Sequence, residues 1–226
     1  MRKIKPKVFI ACDTTSILKV SKIIRETKKS SISFGYKFGL EFLNSKNGRN
    51  FLSKFKNEIT FGDYKLADIP NTCKSSIVAV KDLKFNYITI HISSGLEAIQ
   101  ATKKASGSTK LVGVTILTSL NDKSLKEIGF DKDVKKIVYL QAKLAAKAKL
   151  DAVVCSPKEI KIVKKVFKKE IITPGIRLTG ESKGDQKRVM TPKQAFQNGA
   201  TSLVMGRSLI NGNLRNNIKR LIKELT

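Results

Sequence analysis

The chain has 226 residues, 41% hydrophobic and 28% charged, which is enough apolar material to bury a substantial core and too much for global disorder. Its 45 Lys and Arg against 18 Asp and Glu give a formal net charge of +27, the electrostatic footprint that usually raises nucleic-acid binding. The lysines are spread along the whole length, however, Trp is absent, and no basic tail, helix-turn-helix or RNP-like pattern occurs. A solvated lysine-rich surface that attracts phosphorylated substrates is therefore expected, with no nucleic-acid partner.

The basic start, Met1 to Lys7, leads into an apolar stretch from Val8 to Cys12 that Asp13 interrupts at once, too short for a secretory signal. No apolar run approaches the roughly 18 residues of a membrane span, so a cytoplasmic protein is expected. From there short apolar strands alternate with amphipathic helices. Strands are predicted at Val8–Ala11, Ser33–Phe38, Ile59–Tyr64, Tyr87–His91, Leu111–Leu117, Ala152–Cys155, Ile171–Thr173 and Ser202–Met205. Helical periodicity is clearest at Ser16–Lys28, Val134–Lys149 and Leu214–Leu225. About eight strand-helix units of roughly 28 residues each suit a closed (β/α)8 barrel, an α/β fold. An open doubly wound sheet would usually carry a glycine-rich turn after its first strand, where this chain has Cys12-Asp13-Thr14-Thr15. No linker divides the chain, so residues 1–226 read as one barrel domain. Cys12, Cys73 and Cys155 form no close-spaced pair and suit small buried hydrophobes. The single histidine, His91, lacks a marked nucleophile and orienting acid, which argues against a histidine-based mechanism.

Residues just past the carboxyl ends of barrel strands face the active site. By that rule Asp13, Lys37, Asp63, Lys65, Thr118, Arg177, Gly206 and Arg207 gather at one mouth. The segment from Asp63 to Thr72 is the most telling. In an extended chain Asp63 and Lys65 point the same way, and Asp68 follows just past the strand end, free to approach them. Plainer readings stand beside this one, since Asp68 before Pro70 and Asp13 before Thr14 are also suited to capping helices. After strands 7 and 8, Pro174-Gly175-Ile176-Arg177 and Gly206-Arg207 lie where barrels commonly hold a phosphate. Leu178 to Lys187, with Gly180 and Gly184, reads as a mobile loop able to fold over that phosphate.

These residues resemble a known family, that of orotidine 5'-monophosphate decarboxylase, over nearly the whole chain, and most closely its bacterial branch. The resemblance rests on the pattern Asp-x-Lys-x-x-Asp-Ile-Pro-x-Thr at 63 to 72, joined in order by Lys37-Phe38-Gly39-Leu40-Glu41, Val114 to Ser119, Thr173 to Arg177, Gly184 to Pro192 and Val204-Met205-Gly206-Arg207. It implies a cofactor-independent, metal-free decarboxylation of orotidine 5'-monophosphate to uridine 5'-monophosphate (UMP) in pyrimidine biosynthesis. Lys65 would be the proton donor, with Asp63 beside the substrate carboxylate. Asp13 and Lys37 would hold the ribose hydroxyls, Thr118 the pyrimidine amide edge, and Arg177, Gln186, Gly206 and Arg207 the phosphate and neighbouring ring oxygen. Asp68 and Thr72 would reach into a partner subunit's site, which implies a homodimer. The chain departs from the usual family wording at Tyr64, where Leu is common, and at Ala67, where His is common. A relative on the same barrel acting on phosphorylated sugars carries a similar acid-lysine-acid stretch but needs magnesium, so insensitivity to a chelator separates the two.

Overall fold

A computed structural model of the chain describes residues 7–55, 57–181 and 189–225. Eight parallel strands close into a barrel in sequence order, β1 (Val8–Ala11), β2 (Phe34–Phe38), β3 (Thr60–Leu66), β4 (Tyr87–His91), β5 (Lys110–Val114), β6 (Ala152–Val154), β7 (Glu170–Thr173) and β8 (Ser202–Met205). The register of β1 against β8 completes the ring, with Val8 opposite Leu203 and Ile10 opposite Met205. Strands in such a barrel are covered on both faces, which is why they read as nearly continuous apolar runs.

Strand alternation divides these residues between two cores. Phe9, Phe61, Tyr87, Val112, Ala152, Ile172 and Val204 fill the barrel interior, while Val8, Ile10, Ile88, Ile90, Leu111 and Val153 face the surrounding helices. Phe9 sets its ring edge-on against both Phe61 and Tyr87, each at a centroid distance of 5.2 Å. At the barrel floor the Tyr87 hydroxyl donates to Glu170 Oε2 at 3.1 Å, and Lys110 Nζ reaches Glu170 Oε1 at 2.5 Å. Polar groups therefore seal the amino-terminal end, and the opposite end is left for the site.

The helices form largely where periodicity places them. Ile17–Thr27 starts at Ser16, whose hydroxyl accepts the Lys19 backbone N–H. Val134–Lys147 stops two residues short of the predicted Lys149, and Leu214–Leu225 matches its predicted span. The cysteines are buried, as expected. Lys158, Lys161, Lys164, Lys165, Lys168 and Lys169 are all exposed, so this part of the positive charge is a solvated outer face. No helix among the described residues is long and apolar enough to cross a membrane.

Three strands differ from the sequence expectation by one residue at one end, and β3 and β5 depart by more. β5 ends at Val114, three residues early; Thr115 makes the last ladder bond to the carbonyl of Val154 and turns its hydroxyl to the same oxygen. β3 runs on to Leu66, and its pairing slips. Gly62 stands opposite Ile88 and Leu66 opposite Ile90, so Asp63, Tyr64 and Lys65 together face Thr89. Lys65 takes the left-handed conformation, with φ of 50°, a state costing a non-glycine residue roughly 1–2 kcal/mol.

Candidate active site

The carboxyl ends of the strands open into a cavity of about 560 Å³. It brings together Asp13, Lys37, Asp63, Lys65, Thr118, Arg177, Gly206 and Arg207 from β1, β2, β3, β5, β7 and β8 or the loops that follow them. Asp63 Oδ2 is the centre of the charge array, 2.8 Å from Lys65 Nζ and 3.2 Å from Lys37 Nζ, and Lys37 Nζ lies 3.1 Å from Asp13 Oδ1. Gly39 leaves room for this last pair. A β-carbon there would come within 2.9 Å of Asp13 Oδ1 and 3.2 Å of Lys37 Nζ.

Neither Asp13 nor Asp68 caps a helix through its side chain. Ser16 caps the first helix, and Asp13 is drawn into the Lys37 pair. The Asp68 carboxylate accepts the adjacent Ile69 N–H, at 2.7 Å, and the helix Pro70–Ala79 has no side-chain cap. Asp68 and Thr72 are exposed, and neither lines the cavity of this chain. The expectation that Asp68 closes on Lys65 from the same strand end is thus not met within one chain, where its carboxylate is exposed and bonded to the start of the next helix. Lys65 does meet Asp63, through the slipped pairing and not through plain strand alternation.

The electrostatics follow from burial and pairing. Burial disfavours the charged Asp63 carboxylate, but the neighbouring ammonium groups of Lys37 and Lys65 outweigh it and hold its pKa below the ordinary 3.8. Burial likewise opposes charge on Lys37, yet Asp63 and Asp13 carry its pKa above the ordinary 10.5. Asp63 therefore contributes stability that is complete above its unfolded value and lost as pH falls through its lower folded value. Lys37 contributes stability complete below 10.5 and lost as pH rises through its higher folded value. The stability gap between the native chain and Asp63→Asn is accordingly expected to be flat from about pH 5 to 9 and to close below pH 4, as read by urea unfolding across pH.

On the far wall, Gly206 approaches β1 so closely that a β-carbon would sit 3.3 Å from that of Ala11. The two arginine-bearing loops are tied together by Ser208, whose hydroxyl accepts the Leu178 N–H at 3.1 Å and donates to Glu181. Glu181 also takes Arg220 from the terminal helix at 3.4 Å. Gln186 and residues 182–187 of the predicted loop lie outside the described residues. Tyr64 points away from the cavity and meets Phe85 edge-on at 5.8 Å, while Ala67 is exposed. His91 is half-buried at the end of β4 and does not line the cavity; burial, then the charge of Lys65, lowers its pKa.

The Orotidine 5'-phosphate decarboxylase / HUMPS family model matches residues 6–220, nearly the whole barrel. The chain belongs to this family. An orotidine 5'-phosphate decarboxylase of Prochlorococcus marinus is 38% identical over 219 residues, spanning 90% of this chain and 88% of the relative. One from Erythrobacter litoralis is also 38% identical, over 206 residues, spanning 89% and 91%. The crystal structure of orotidine 5'-phosphate decarboxylase from Lactobacillus acidophilus superposes with a TM-score of 0.82 at 27% identity, covering 98% of this chain and all of that one. Within this orotidine 5'-phosphate decarboxylase / HUMPS family member, some wall residues obey the strand-end rule but carry no charge that marks them in the sequence. Cys155 and Ser156 follow β6, and Ile116 and Leu117 belong to the loop after β5. Thr89, behind the wall, does escape that rule, being fully buried one position before the last pair of β4. Its signal in the sequence is faint: a polar residue on the inward-facing parity of the otherwise apolar strand Tyr87–His91.

Proposed function

We propose that the chain decarboxylates orotidine 5'-monophosphate to UMP, drawing on no cofactor. The observation that carries this reading is the Lys37–Asp63–Lys65 array inside a closed-barrel cavity whose opposite wall presents Arg177 and Arg207. In that reaction the bond between the ring carbon and its carboxylate breaks, carbon dioxide leaves, and the electron pair remains on a ring carbon that the adjacent carbonyls cannot relieve. The stabilisation has to be electrostatic. Lys65 supplies a fixed positive charge where the pair develops and then gives its proton to that carbon, becoming a neutral amine that solvent recharges.

Asp63 lies beside the departing carboxylate in this reading. Two like charges about 4 Å apart at an effective dielectric near 20 repel by roughly 4 kcal/mol, about a thousandfold in rate. Enzymes usually supply about 8–23 kcal/mol, so repulsion is the smaller contribution. Preorganised charge and phosphate binding supply the rest, with Arg177, Gln186, Gly206 and Arg207 holding the phosphate, Asp13 and Lys37 the ribose, and Thr118 the pyrimidine amide edge. Disappearance of orotidylate absorbance in the presence of a chelator tests the reading. Turnover is expected to persist; loss of turnover that returns with magnesium would instead favour a sugar-phosphate reaction on the same barrel.

The functional unit we propose is a cytoplasmic homodimer in which Asp68 and Thr72 complete the partner's site. Both are exposed, and they flank Ile69, which is 66% exposed at the N-cap of the helix Pro70–Ala79. An isoleucine left in solvent between two polar residues supports burial of this helix start against a second copy. Mixing Lys65→Ala protein with Asp68→Ala protein under subunit exchange is expected to restore activity, because hybrid dimers hold one site with both residues. A mixture as inactive as its parents would place Asp68 outside the partner's site.

A further inference from the structure

Thr89 sits at the one point where the pairing of β3 and β4 slips. Its hydroxyl oxygen accepts the Lys65 backbone N–H at 2.8 Å, and Thr89 Oγ1 lies 3.1 Å from Asp63 Oδ1. A hydroxyl has one hydrogen, and the carboxylate has none to give, so the direction of both bonds is fixed: Thr89 receives from Lys65 and donates to Asp63. Asp63 Oδ1 is thereby occupied by Thr89, and Oδ2 is presented to the two lysines. The same oxygen anchors the residue whose backbone is held at φ of 50°, a conformation that persists only where its surroundings over-determine it.

We propose that Thr89 is a positioning residue that sets the Lys65 ammonium through both its backbone and its carboxylate partner. The inference deepens the decarboxylase reading and rests on it for its kinetic consequence. Thr89 is fully buried and is not among the residues lining the cavity, so it acts on Lys65 and Asp63 and not on substrate. Without the hydroxyl, a buried carboxylate oxygen and the Lys65 N–H both lose their partner, and the left-handed turn loses its anchor. Displacements of an ångström at a reacting group cost on the order of a hundredfold in rate.

Two variants test this. Thr89→Val keeps the shape and removes the hydroxyl, and Thr89→Ser keeps the hydroxyl and removes a methyl. Each is examined by steady-state kinetics with orotidylate, by UMP affinity, by thermal melting to establish that it is folded at the assay temperature, and by amide exchange at Lys65. Thr89→Val is expected to lower kcat by about 10- to 100-fold while KM and UMP affinity stay within about twofold. Its Lys65 amide should exchange at least about tenfold faster, and Thr89→Ser should restore both properties. An unchanged kcat in folded Thr89→Val, or a Thr89→Ser variant as impaired as the valine one, would overturn the kinetic role. Lys65 exchange at the native rate in Thr89→Val would overturn the geometry independently of any turnover. A native protein that fails to decarboxylate orotidylate would refute the function and leave the exchange measurement to decide the position of Thr89.

Discussion

Lys65→Ala is expected to abolish measurable decarboxylation and to leave UMP binding largely intact. The substitution removes a general acid, whose contribution is typically 10²- to 10⁴-fold, and a fixed charge at the developing carbanion, worth about another 10²- to 10³-fold. Multiplied, the loss is at least about 10⁴-fold in kcat. The fold should tolerate it, because the Lys65 side chain is 33% exposed and Asp63 keeps Lys37 at 3.2 Å and Thr89 at 3.1 Å. UMP carries no carboxylate at the reacting carbon, and its phosphate and ribose are assigned to other residues. Isothermal titration with UMP beside a stopped-time decarboxylation assay measures both halves of the prediction. Residual turnover within a hundredfold of the native rate would remove Lys65 from the role of proton donor.

The second large effect concerns Arg207. Arg207→Ala is expected to raise KM and lower kcat together, with a combined loss of about 10²- to 10⁴-fold in kcat/KM. Two charge-assisted hydrogen bonds at about 1.5–3 kcal/mol each set that range. The side chain is exposed at the start of the helix Arg207–Ile210, so its removal opens no hole in the core. Binding energy from a phosphate remote from the reacting carbon raises kcat only when part of it is realised in the transition state. A variant with raised KM and native kcat would show uniform binding and would refute that use of the phosphate. Uridine, which lacks the phosphate, supplies the control: its affinity should be indifferent to the substitution, whereas that of UMP should fall.

The barrel was legible because each strand is buried on both faces and each long helix on one, so burial leaves its period in the residues. Val8–Ala11, Tyr87–His91 and Ser202–Met205 fall where the apolar runs place them. Strand ends governed by single hydrogen bonds were not legible. β5 stops at Val114, where the Thr115 hydroxyl takes the carbonyl of Val154, so the loop that carries Thr118 begins three residues earlier than the apolar run suggests. The charged residues that line the cavity were legible because strand-end position and residue type coincide at Asp13, Lys37, Asp63 and Lys65. Their geometry was not, since the slip between Gly62 and Leu66 brings Lys65 to Asp63 by a bend of the backbone that no alternation rule contains. Thr89 escaped for a related reason: a lone threonine in a β-branched strand has the composition of ordinary packing, and only its two hydrogen bonds distinguish it.

Lys65 can act as proton donor only if its amine faces the reacting carbon when the ring is in place. A crystal structure with a UMP analogue bearing an anionic oxygen on the reacting carbon tests it most directly. Lys65 Nζ is expected within hydrogen-bond distance of that oxygen, with Asp63 retained on its other side. An amine turned out to bulk solvent, with the analogue seated in the cavity, would contradict it.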